Sequence, residues 1–127
     1  MRFIIRRRSE FPPCLRNIKE VVGICAGGCI DQTDTIDGAA HAHTYTDEYK
    51  GWICLDRKGI LKERLTLLHE AAHLLIDPNA DHHGKEWRRA VVSIGGTYKA
   101  YTYTHWYSNY NYTDFIHTRS GKTKERK

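Results

Sequence analysis

The sequence predicts an α+β domain, a small β-sheet packed on one long amphipathic helix with a second helix after it. Three observations carry this. A chain of 127 residues has room for one modest core. Apolar residues recur every three or four positions over 60–76, the period of a one-sided helix. Short apolar or alternating runs bounded by turn residues precede it, the pattern of strands.

Along the chain, residues 2–8 (RFIIRRR) suit a short strand. After Pro12-Pro13, the positions Leu15, Ile18, Val21, Val22 and Cys25 fall at helical spacing, so 14–25 reads as an amphipathic helix. Gly27-Gly28 stops it, and 26–38 reads as a loop. AHAHTYT (40–46) and GWICL (51–55), joined by a turn at 48–51, read as a β-hairpin. In the helix over 60–76, Leu61, Leu65, Leu68, Ala72 and Leu75 form one stripe, and Asp77-Pro78 ends it, since a residue before proline is pushed out of the α region. A polar loop, 79–84, leads to a helix over 85–94 that buries Trp87, Ala90, Val91 and Ile94 and closes at Gly95-Gly96. The Tyr/Thr-rich stretch 97–107 suits a strand. The domain is expected over 1–117, with 118–127 a basic, disordered tail.

Composition narrows the class. Hydrophobic content of 40% and charged content of 28% are ordinary for a globular chain. No apolar run approaches the ~20 residues of a membrane-spanning helix, so no membrane partner is expected. The apolar stretch Phe3 to Ile5 is far shorter than the roughly 7–15 residues of a secretory core, which predicts a cytoplasmic protein. Cys14, Cys25, Cys29 and Cys54 are then expected as free thiols. The net charge of +5 is concentrated at the two ends, +4 from Arg2, Arg6, Arg7 and Arg8 and +4 from 119–127. Basic termini are a weaker sign of nucleic-acid contact than a basic stripe on a folded face.

The chemistry centres on His69-Glu70-Ala71-Ala72-His73, an H-E-x-x-H pattern. Residues i and i+4 sit one turn apart on one helical face, so two imidazoles can reach one metal ion. Glu70, on the neighbouring edge, can accept a proton from a water that the metal activates. A catalytic zinc needs three protein ligands and one open position. After His73 the candidates for the third are Asp77, Asp81, His82, His83 and Glu86. Gly84 and a helix start favour His83 over His82, because a glycine permits a tight turn directly after the ligand. Two weaker groupings stand apart. Cys25-x3-Cys29 with Cys14 has the spacing of a structural zinc half-site, and His41 and His43 share one face of a strand. Tyr98, Tyr101, Tyr103 and His105 are candidates to stabilise an oxyanion.

HEAAHLLIDPNADHHGKEWRRAVVSIG (69–95) resembles the SprT/Spartan group of zinc metallopeptidases, which follow H-E-x-x-H by a loop and a His-Gly-x-x-aromatic step opening a helix. Here that step is His83-Gly84-Lys85-Glu86-Trp87. The resemblance covers about 40–107 and is specific over 69–87. It implies a zincin-type domain, Zn2+ on His69, His73 and His83, Glu70 as general base, and a protein or peptide substrate. It also implies that Trp87 packs the second helix under the site, and that the strand before the first helix lies near a substrate-pairing edge. The paired Cys-x-x-Cys ribbon of members acting on DNA-bound proteins is missing, since no cysteine follows Cys54. The peptidase chemistry carries over better than that substrate. The alternative is a zinc-binding, nucleic-acid-associated regulatory protein of the same fold that cuts little and binds through its basic ends.

Overall fold

A computed structural model describes residues 2–32, 38–81 and 83–98. They form a small α+β architecture with a four-stranded mixed sheet and two helices. The strands are β1 (Phe3–Ile5), β2 (Gly23–Ala26), β3 (Ala40–Ala42) and β4 (Trp52–Leu55), in the spatial order β1-β2-β4-β3. β1 is antiparallel to β2, β2 parallel to β4, and β3 antiparallel to β4. The helices are α1 (Arg64–His73) and α2 (Lys85–Ser93).

The helix expected over 14–25 is absent. Its place is taken by a 3-10 turn at Pro13–Leu15, further turns, and strand β2. The apolar spacing misleads for a physical reason. Leu15, Ile18 and Val21 each donate a backbone N–H to the carbonyl three residues earlier, at 2.9, 3.1 and 3.1 Å. Successive three-residue turns thus bury residues at a period of three without an α-helix. Proline at the start and β-branched Val21, Val22 and Ile24 at the end favour this outcome.

The helix expected over 60–76 is shorter. Lys58–Lys62 form a separate 3-10 turn, which buries Ile60, and α1 begins at Arg64. Leu65 is exposed rather than on the buried stripe. At the other end the Leu74 N–H bonds the Ala71 carbonyl, a tightened last turn, before Pro78 is reached. The hairpin and the second helix form as expected, with Gly95 and Gly96 donating to the carbonyls of Val92 and Val91. Residues 99–107 of the expected strand and the tail 118–127 lie outside the described residues. Among the described residues no helix is long and apolar enough to cross a membrane.

The sheet has two buried faces. Ile24, Ala26, Ile53 and Leu55 pack with Leu67, Leu68 and Ala71 of α1, together with Phe11, Leu15 and Val21. The opposite face carries Cys25, Trp52 and Cys54, covered by Cys29, Ile30 and Tyr49. Two of the N-terminal arginines hold this frame. Arg2 donates to the carbonyls of Cys29 and Ile30 at 2.9 and 3.1 Å, and Arg8 to those of Ile18 and Val21 at 3.0 and 2.8 Å. The Arg6 guanidinium lies 5.3 Å from the Trp52 ring centre.

Trp52 also dictates Gly23, its partner in register. A Cβ there would lie 2.5 Å from the indole. Gly23→Ala should therefore displace a buried ring at a cost of about 1–3 kcal/mol, read as a lowered denaturation midpoint. An unchanged midpoint would mean that the ring does not lie over this backbone.

Candidate metal centre

The second half of α1 is buried on nearly all sides. Leu67, Leu68, Ala71 and Ala72 are in the core, and His69, Glu70 and His73 are also only 4, 4 and 8% exposed. Three polar side chains in so dry a place are costly unless they are mutually satisfied or hold an ion. The helical spacing brings the rings of His69 and His73 to 5.3 Å between centres. After the loop that follows, His83 arrives over both, with ring centres 5.0 Å from His69 and 4.9 Å from His73. The Nε2 atoms of His69 and His83 stand 3.1 Å apart. One ligand nitrogen from each of the three histidines lies within 4.8 Å of the others.

Those distances fit a common ion. Zinc–nitrogen bonds of about 2.0–2.1 Å at tetrahedral angles place ligand nitrogens about 3.3 Å apart. Burial pushes the pKa of His69 down to about 3, so its imidazole is neutral at physiological pH, which is the form that binds metals.

Trp87 supplies the floor. Fully buried, it stacks on His73 with ring centres 5.6 Å apart, and meets His69 and His83 edge-on at 4.9 and 4.8 Å. Its indole N–H donates to the His69 carbonyl at 3.2 Å. The helix expected to pack beneath the site therefore does so through this residue. Gly84 serves differently from expectation. Its φ of −81° is open to any residue, so no left-handed turn is involved. A Cβ there would instead lie 2.7 Å from the Asp81 Cβ, and the Gly84 N–H closes the turn onto the Asp81 carbonyl at 3.3 Å. Close approach is what selects glycine.

Among the described residues, Asp77, Asp81 and Glu86 are exposed and do not join the three histidines. Asp77 instead accepts the Asn79 N–H at 2.8 Å. His82 lies outside the described residues, as do Tyr101, Tyr103 and His105. Tyr98 is exposed, with the Arg88 guanidinium 5.6 Å from its ring centre. No protein-family model, curated protein or solved structure matches this chain.

A second set of donor atoms converges on the other face of the sheet. Cys29, His41, His43 and Cys54 also lie within 4.8 Å of one another and could hold a metal ion. Neither Cys14 nor Cys25, which the spacing grouped with Cys29, takes part. Cys14 packs against the main core, and the Cys25 thiol donates to the Gly28 carbonyl at 2.9 Å. All four cysteines are free thiols, and burial raises the pKa of Cys54, with Cys29 and Cys25 adding to the effect. Cys54 is the member that sequence reasoning missed. The signal was present in the hairpin, whose register sets Cys54 directly opposite His41.

Proposed function

We propose that this protein is a zinc-dependent peptidase that holds its metal on His69, His73 and His83 and uses Glu70 as general base. The observation that carries the reading is the convergence of three imidazoles, two of them on α1, the helix that also carries the buried Glu70. Three protein ligands leave a fourth position for substrate or water, as in catalytic zinc sites. A mixed sheet packed on the helix that carries the motif supports a zincin-type fold, and β3 at the sheet edge is suited to pair with an extended peptide. The step His83-Gly84-Lys85-Glu86-Trp87 supports kinship with SprT-like peptidases, because both its ends have work at the site.

When bound, zinc supplies Lewis acidity, which makes water a nucleophile at neutral pH and polarises a carbonyl oxygen. The chain's own residues do the rest. Glu70 takes one proton from the attacking water, whose oxygen bonds the carbonyl carbon. Glu70 then delivers that proton to the amine nitrogen as the C–N bond breaks. Burial keeps its carboxylate in a medium of low dielectric, where charge on the reacting atoms is strongly felt. Trp87 locks the three imidazoles from below, so little reorganisation is needed on binding.

The test is zinc content measured together with hydrolysis of an unfolded protein substrate. His69→Ala, His73→Ala and His83→Ala should each lose this zinc and hydrolysis together, because two ligands leave the ion poorly held. His82→Ala should keep the metal, with at most a modest loss of rate. Full zinc content in His69→Ala or His73→Ala would refute the reading. Metal retained by His83→Ala and lost by His82→Ala would move the third ligand one residue.

A further inference from the structure

We propose that Cys29, His41, His43 and Cys54 form a second, structural zinc site that clamps the loop after β2 onto the β3–β4 hairpin. Four of the six separations between the ligand atoms match the edges such an ion requires, and all six are within 4.8 Å. With zinc–nitrogen bonds of about 2.0–2.1 Å and zinc–sulfur bonds of about 2.3 Å, tetrahedral edges are about 3.3 Å between nitrogens and about 3.5 Å between nitrogen and sulfur. The Nε2 atoms of His41 and His43 are 3.3 Å apart. The Cys29 Sγ lies 3.3 Å from the first and 3.4 Å from the second, and the Cys54 Sγ lies 3.3 Å from His43.

A hydrogen-bonded cluster explains this packing poorly. One imidazole nitrogen carries either one proton or one lone pair, directed in the plane of the ring. It can therefore make one good hydrogen bond. The Nε2 of His43 nevertheless has three donor atoms around it at 3.3–3.4 Å. Each vertex of a tetrahedron has three neighbours at nearly equal distance, so a shared ion accounts for all three contacts at once.

Charge and surroundings agree. Two thiolates balance Zn2+, so the loaded site is neutral and suits its buried position, whereas the three-histidine centre has no anion among its ligands. Two sulfurs and two nitrogens select zinc over magnesium or calcium. The Ile30 N–H points to the Cys54 sulfur at 3.3 Å, the kind of outer contact that steadies a thiolate ligand. Four protein ligands leave no open position, which marks a structural rather than a catalytic ion. The need is evident from the packing. Among the described residues no helix covers this face of the sheet, and its apolar cover there is Trp52, Ile30, Tyr49 and the cysteines themselves. A metal staple supplies what so thin a layer lacks.

The test uses the full chain, purified under reducing conditions and loaded first with zinc and then with cobalt(II). Wild type should carry two zinc ions. Its cobalt form should show a thiolate-to-metal charge-transfer band, because of the two donor clusters only this quartet contains sulfur. The double variant His69→Ala/His73→Ala should retain one equivalent and the full band, and Cys25→Ser should retain two. A wild-type chain without the thiolate band overturns the proposal, whether or not the double variant folds, and so does a band retained in full by Cys54→Ser. Failure of the peptidase reading looks different. In that case the quartet keeps its ion and its band, while hydrolysis is absent.

Discussion

Glu70→Gln is expected to keep its zinc and its fold and to lose peptide hydrolysis by about 10²- to 10⁴-fold, the usual worth of a positioned proton acceptor. The amide matches the carboxylate in size, so the nearly closed space around residue 70 stays filled. It differs in the one respect that matters, because an amide cannot take a proton from water at neutral pH. Alanine would be a poorer test, since it would also leave a hole in the core. Zinc content by elemental analysis and turnover of an unfolded protein should be measured on the same sample. Near-normal turnover with full zinc would remove Glu70 from the chemistry.

Trp87→Ala should cost about 3–5 kcal/mol of folding stability, the range for truncating a large buried aromatic. Against a total of about 5–15 kcal/mol for an ordinary domain, that is a large fraction. The loss should not stay in the core. The indole touches all three histidine rings and donates to the His69 carbonyl, so the cavity opens directly beneath the three histidines. Zinc affinity should fall along with the denaturation midpoint. Trp87→Phe keeps most of the apolar volume and gives up a hydrogen bond worth roughly 1 kcal/mol, so it should lie close to wild type on both measures. Competition with a chelator and a denaturant titration would check this. Undiminished zinc affinity in Trp87→Ala would show that the ring does not steady the histidines.

Much of the candidate site was legible because its key pair obeys helical geometry. His69 and His73 are one turn apart in sequence and in space, so reading one dictates the place of the other. His83 was reachable from the helix start that follows it. The reading of 14–25 failed because a chain of tight turns and an α-helix both bury residues at about every third position, and periodicity alone does not separate them. The quartet was hidden for another reason. Its members come from the loop after β2 and from both strands of the hairpin, so only the strand register brings them together. Cysteine spacing pointed to Cys14 and Cys25, which are near Cys29 in sequence and occupied elsewhere. β3 and β4 could be expected as a hairpin, but nothing local announces that β2 runs parallel to β4.

The alternation of Ala40, His41, Ala42 and His43 has a consequence for how the edge of the sheet assembles. The alanines join the apolar layer shared with α1, and the histidines turn to the cysteine face. A slip of one residue between β3 and β4 would exchange the two sets. Two imidazoles would then be pressed among Ile53, Leu55 and the helix, at a cost of roughly 1–3 kcal/mol for each polar group left unmatched. Two methyl groups would meanwhile face the sulfurs. A three-residue strand has few backbone hydrogen bonds with which to reject such mispairing. Its side chains do so instead, and the hairpin closes in a single frame.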